Sequence, residues 1–319
     1  MPEIKISIAA GTNVGLVRDN NEDDFVVSPD LSTSEWLTPQ ADNCVSLGAL
    51  GSLLVVADGM GGTNAGEVAS GMAIETVKEY FVTEQLQKIT TDDKRIQDFM
   101  KAVVKKADSK ILQASKADSE RQGMGTTIVM AWILGERAYV CWCGDSRCYA
   151  FNKNIGLVQL SKDHSLVQEL VDRGELAPEN ANDHPLSNVV TRCLGDVENR
   201  SVPETRIYQL HDEDLVLLCS DGLCGVCYDD QIISVLAAYS DEVQKCKDEL
   251  ISLALAGGGY DNVTVALCRI QMEGAKTGNS SEVSEDDVAT TVRTKPNSHR
   301  FRFGLNLFGK KKQADDSFK

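Results

Sequence analysis

The run Val55-Val56-Ala57-Asp58-Gly59-Met60-Gly61-Gly62 constrains this chain more than any other stretch. Apolar residues from Leu53 to Ala57 predict a buried strand that carries Asp58 to its tip. Gly59, Gly61 and Gly62 permit a sharp bend and a close backbone approach. A helix is expected next, with Asn64 as its N-cap and Glu67 in capping-box position. The unit aims a carboxylate and a free carbonyl at one point. On its own, such an Asp-Gly turn is more often an ordinary loop.

Four further acidic stretches give it company. They are Arg18-Asp19-Asn20-Asn21-Glu22-Asp23, Cys143-Gly144-Asp145-Ser146-Arg147, Cys219-Ser220-Asp221-Gly222 and Tyr260-Asp261-Asn262. Each lies at the edge of a strand-like run and offers a hard oxygen donor. Oxygen-only sets suit Mg²⁺ or Mn²⁺ rather than zinc or copper. Two such cations, on the order of 3.5–4 Å apart, can share a bridging water and ready it for in-line attack on phosphorus. That chemistry needs no covalent intermediate, which agrees with the lack of a Cys-x5-Arg loop. A Walker A loop is absent too. Arg18 stands four residues before Glu22, on the same face if the segment is extended, and is the natural phosphate clamp. A surface ion pair with Asp19 or Glu22 is its alternative role.

Composition narrows the class. The 319 residues, 42% hydrophobic and 25% charged, fit a globular protein with a sizeable core. A net charge of −16 argues against nucleic acid as a partner. No apolar run reaches the length of a membrane span, and residues 1–10 do not form a secretory signal. Of the ten cysteines, Cys141, Cys143, Cys148, Cys219 and Cys268 lie in apolar strand patterns, so a reduced, cytoplasmic protein is expected. Cys224-x-x-Cys227 lacks the companions of a zinc site.

Along the chain, Ile4–Ala9 and Asp24–Ser28 read as a strand pair forming a hairpin, and residues 31–49 as a surface loop. Helices are expected over about 65–81 and 92–115, each with a buried stripe of period 3.6. Three short strands (126–133, 138–143 and 147–151) suggest an antiparallel meander. The segment 161–206, with a short helix at 166–173, reads as an insertion or flap. A strand at 214–220, helices at about 229–238 and 241–256, and a last strand at 262–271 follow. Strands and helices arrive in blocks, which favours antiparallel sheets with helices outside. Residues 1–272 form the domain. Residues 273–299 are polar and acidic enough to be a disordered linker. Residues 300–319 are a basic, aromatic tail: a solubilising end, or a docking peptide for an acidic partner or anionic membrane. The linker threonines Thr290, Thr291 and Thr294 follow acids, as a phosphorylation site would.

Taken together these residues resemble the metal-dependent protein phosphatase family, type 2C, and its bacterial branch. The matching stretches include Arg18-x-x-Asn21-Glu22-Asp23, Ala57-Asp58-Gly59-Met60-Gly61-Gly62, Gly123-Met124-Gly125-Thr126-Thr127, Gly144-Asp145-Ser146-Arg147, Ser161-Lys162-Asp163-His164-Ser165, Thr191-Arg192-x-Leu194-Gly195, Ser220-Asp221-Gly222 and Asp261-Asn262-Val263-Thr264. The resemblance implies an α+β fold, a four-layer αββα sandwich of two antiparallel sheets flanked by helices. It implies Mn²⁺- or Mg²⁺-dependent hydrolysis of phosphoserine and phosphothreonine, opposing a bacterial kinase. Asp58 would bridge two ions with the Gly59 carbonyl beside it. Asp221 and Asp261 would complete one site and Glu22 and Asp23 the other, while Asp145 would hold a weaker third ion. Arg18 would hold the substrate phosphate. Met60 stands where animal members carry His, so no imidazole acid is available there. Two rival readings are a non-catalytic phosphoprotein-binding relative and a small-molecule phosphatase with the same metal centre.

Overall fold

Alternate residues of the central strands face two different interiors. In Leu53–Ala57, the side chains of Leu53, Val55 and Ala57 enter one core, and those of Leu54 and Val56 enter another. The last strand does the same: Val263, Val265 and Leu267 face outward helices, while Ala266, Cys268 and Ile270 face the opposite sheet. Such strands read as near-continuous apolar runs because neither face meets water.

The computed structural model describes residues 3–33, 35–36, 44–61, 65–89, 92–196 and 201–273. The expected cap Asn64, the linker and the basic tail lie outside them. In chain order the elements are β1 (Glu3–Asn13), β2 (Asp23–Ser28), β3 (Cys44–Ser46), β4 (Ser52–Met60), α1 (Gly66–Tyr80), α2 (Thr83–Leu86) and α3 (Asp93–Ala117). There follow β5 (Gly125–Thr126), β6 (Ile128–Leu134), β7 (Arg137–Cys143), β8 (Arg147–Asn152), β9 (Gly156–Gln159) and α4 (Leu166–Asp172). The domain ends with β10 (Glu204–Gln209), β11 (Leu215–Cys219), α5 (Asp221–Cys224), α6 (Asp229–Tyr239), α7 (Val243–Ala256) and β12 (Val263–Glu273).

One sheet has the order β3-β1-β12-β11-β8-β9, and the other β10-β7-β6-β4-β2, with β5 paired to β4. All the pairings are antiparallel. Helices α1 and α3 cover the second sheet, where Phe81, Phe99 and Trp132 pack edge to face. Helices α5, α6 and α7 cover the first. Ile6, Leu54, Val140, Val216 and Cys268 fill the space between the sheets. This is the four-layer αββα sandwich. No helix of the described residues is long and apolar enough to cross a membrane. All ten cysteines are free thiols.

Two local expectations are overturned. β1 and β2 do not form a hairpin: β1 pairs with β12 over its whole length, and β2 pairs with β4 in the other sheet. Hairpin turns are short, whereas residues 14–22 wrap the end of the sandwich. The meander likewise breaks after β7. Gly144 adopts φ +126°, a conformation other residues rarely take, and the chain passes there into the first sheet. β8 has two apolar faces to bury, with Cys148 and Ala150 between the sheets and Tyr149 and Phe151 against the helices. The expected loop 31–49 also contains β3, and β10 takes the last residues of the segment 161–206.

Candidate active site

Register brings the acids together. The β2–β4 pairing sets Asp23 opposite Asp58. That end of the sheet is also where β7 turns into β8 at Asp145, where β11 gives way to Asp221 at the start of α5, and where Asp261 precedes β12. Two aspartates thus come from one sheet, two from the other, and one from the turn that joins them. Glu22 stands immediately before β2, and its backbone carbonyl accepts a hydrogen bond from Gly59 N (3.2 Å) and one from Ser70 Oγ (2.6 Å).

Neutral residues hold this arrangement. Ser220 Oγ and Thr264 Oγ1 both donate to Asp23 Oδ2, at 2.8 and 2.6 Å. Ser220 Oγ also accepts from Thr264 N (2.9 Å). Asn262 ties the 14–22 segment down: its amide donates to the Val14 and Asn20 carbonyls (2.9 Å each), and its Oδ1 accepts from Glu22 N (2.8 Å). The Asp58 backbone is fixed by Thr126 Oγ1 and Thr127 N, which donate to its carbonyl at 2.9 and 2.8 Å. Ser220, Asn262, Thr126, Thr127 and Thr264 were visible within the sequence motifs, but short polar residues carry no local sign of the acid they will serve.

Burial and crowding of like charge raise the carboxyl pKa values. Asp23 is pushed up to about 7, first by burial, with Asp221 and Asp261 adding to it and the two hydroxyls opposing. Asp221 is pushed up to about 6 by burial and then by Asp261. Asp58 rises well above the usual range through burial and then through Asp23, Asp221, Asp145 and Asp261. Asp145 rises likewise, with Asp221 and Asp163 behind burial. Glu22 is raised by burial and held down by Arg18. Arg18 Nη2 donates to Asp261 Oδ2 at 2.7 Å, and that bond raises the guanidinium pKa. Deeper in, Arg147 grips Asp163 through Nε (2.9 and 3.0 Å) and Nη2 (2.7 Å), beside Asp145 and Asp221 in the same small cavity.

Among the described residues no three His, Cys, Asp or Glu side chains stand as a finished coordination sphere. The reason is visible in the bonds above: Asp23 Oδ2 faces two hydroxyls, and Asp261 is turned to Arg18. The donor set nevertheless fits hard divalent cations. Burial and neighbouring carboxylates oppose the ionisation of Asp23, Asp58, Asp145 and Asp221, and oxygen-seeking cations relieve that repulsion.

The protein phosphatase 2C family model matches residues 13–263. A serine/threonine phosphatase, stp, of Listeria monocytogenes is 34% identical over 215 residues, 67% of this chain and 83% of its own. The crystal structure of the Mycobacterium tuberculosis serine/threonine phosphatase PstP/Ppp superposes with a TM-score of 0.69 at 32% identity, covering 84% of this chain and 99% of that one. The catalytic domain of PstP in complex with two manganese ions gives 0.67 at 31% identity, over 84% and 99%.

Proposed function

This chain belongs to the protein phosphatase 2C family, and from that premise we propose how its acidic end removes phosphate from phosphoserine and phosphothreonine in proteins. The enzyme is a metal-dependent Ser/Thr protein phosphatase that uses Mn²⁺ or Mg²⁺. We assign Glu22, Asp23, Asp58, the Gly59 carbonyl, Asp221 and Asp261 to the two principal ions and Asp145 to a weaker third. The observation that carries the assignment is the convergence of Asp23, Asp58, Asp145 and Asp221 at one end of the sandwich, with Asp23 set opposite Asp58 by strand register.

Bound cations supply Lewis-acid activation of water and neutralise phosphate charge. The remaining work falls to the chain. Ser220 and Thr264 orient Asp23 and favour its ionised form. Asn262 keeps Glu22 and the Arg18 segment against the sheet ends. Arg18, partly exposed, releases Asp261 and forks onto the phosphate. Met60 has no proton to give, so the leaving alkoxide takes its proton from solvent.

Residues 1–272 are read as the catalytic unit and 161–206 as a flap that shapes substrate choice. A cytoplasmic location and a bacterial Ser/Thr kinase as opponent complete the reading. The deciding experiment assays the full chain on a phosphothreonine peptide with Mn²⁺, Mg²⁺ or chelator. Turnover that requires the ion and disappears in Asp58→Asn supports it. Metal-independent turnover, or none with either ion, ends it.

A further inference from the structure

Beside the acids, a cleft of about 410 Å³ opens between the 161–206 segment and the loops before α6 and β12. Asp221 and Asp261 line it together with Asp183, Tyr228 and Tyr260. No Lys or Arg lines it. Tyr228 and Tyr260 are 49% and 64% exposed, far more than packing alone leaves to aromatic side chains. Tyr228 Oη donates to both Asp183 oxygens, at 3.2 and 3.4 Å, and so bridges the 161–206 segment to α6. Arg18, bonded to Asp261, is a cationic group at this edge.

Beyond the acids assigned to the ions, the lining therefore offers one further carboxylate, Asp183, framed by the faces of Tyr228 and Tyr260. We propose that this cleft recognises a basic side chain, Arg or Lys, close in sequence to the phosphorylated residue of the substrate protein. The proposal rests on the phosphatase reading above and gives it a substrate class. A cation meets Asp183 by charge and Tyr228 or Tyr260 by its ring face. The cleft is continuous with the acids that take the phosphoryl end, so one extended segment occupies both. Extended chain covers about 3.3–3.6 Å per residue, so a basic side chain within about three positions of the phosphorylated residue stays beside the acids that take the phosphoryl end. An acidic neighbour would instead face Asp183, the one lining carboxylate not assigned to the ions, and be disfavoured by like charge.

The test uses the full chain with Mn²⁺ and synthetic phosphothreonine peptides. The reference peptide has Ala at all flanking positions, and the others carry a single Arg or Glu at one position within three of the phosphothreonine. Arg at one of these positions is expected to raise kcat/KM about five- to tenfold over Ala, mostly through KM, and Glu to lower it. In Asp183→Asn and in Tyr260→Ala, the Arg-to-Ala ratio should fall towards one. The ratio is internal to each variant, so loss of folded protein cancels from it. A wild-type ratio near one at every position overturns the proposal, as does a ratio unchanged in both variants. p-Nitrophenyl phosphate separates the two readings. If it is hydrolysed while the ratio stays flat, only the basic-residue preference falls. If neither it nor any peptide is hydrolysed, the phosphatase reading falls as well.

Discussion

Asp58-Gly59 and Asp221-Gly222 share one local pattern, an apolar run, a small residue, then Asp and Gly, yet they fold differently. Asp58 lies within β4 and is placed by strand register opposite Asp23. Asp221 opens the short helix α5, after Ser220 has left the strand. The residue before the acid separates them. Ala57 is apolar and continues the ladder. Ser220 turns its hydroxyl to Asp23 and to the Thr264 amide. One carboxylate is thus set by a sheet and the other by a helix start, and they meet because both sheets end at the same edge.

The sharpest way to break this comparison is to neutralise each acid. Asp58 feels four other aspartates, so Asp58→Asn should cost about 10³-fold or more in kcat with Mn²⁺. Asp221→Asn should cost about tenfold less; a heavier loss at Asp221 would invert the ranking. Without metal the sign reverses: either variant should melt higher than wild type, because a buried like charge is gone.

Next comes the backbone of the helical turn. A Cβ at Gly222 would stand 1.9 Å from the Asn262 carbonyl oxygen. Gly222→Ala should therefore destabilise the domain by about 2–3 kcal/mol, read from denaturant midpoints. A neutral result would mean that α5 shifts freely and is not what fixes Asp221.

A smaller effect is expected from pH. The folded pKa values of Asp23 and Asp221, about 7 and about 6, lie above the ordinary aspartate range. The folded state therefore binds more protons than the unfolded state between the two ranges, and stability of the metal-free protein should fall as pH rises from about 4 to about 7. Ser220→Ala removes a donor that lowers the Asp23 pKa and should extend that fall to higher pH. Thermal melts at pH 5 and pH 7.5, with and without Mn²⁺, read both slopes. The stabilisation by Mn²⁺ should grow with pH, and a flat profile would show that the acids are not crowded.

The mildest change tests the phosphate clamp. Arg18→Lys keeps the charge and loses the fork, so KM should rise about fivefold with kcat little altered. A fall in kcat alone would move Arg18 from binding to some other step.

Much of this was legible in the sequence. Strand β4 and helices α1 and α3 follow from periodicity, and the acidic stretches that meet at one end of the sandwich were marked by Asp-Gly turns and motif order. Pairing partners were not. Nothing local tells Ile4–Ala9 that its neighbour is the distant run Leu267–Met272 of β12 rather than the adjacent β2, because both partners offer an apolar face. β10 escaped notice because its pattern, Glu204-Thr205-Arg206-Ile207-Tyr208-Gln209, is mostly half-buried. The Asn262 bonds were equally hidden, since their acceptors lie in Val14 and Asn20, far along the chain.

The marriage of the first strand to the last has a consequence in time. A ribosome releases β1 early, but its partner β12 only when nearly the whole catalytic unit has been made, and distant contacts of this kind form late. Asp261 and Asn262 arrive with that same final strand. Hydrolysis would therefore begin only once translation has passed the end of the domain.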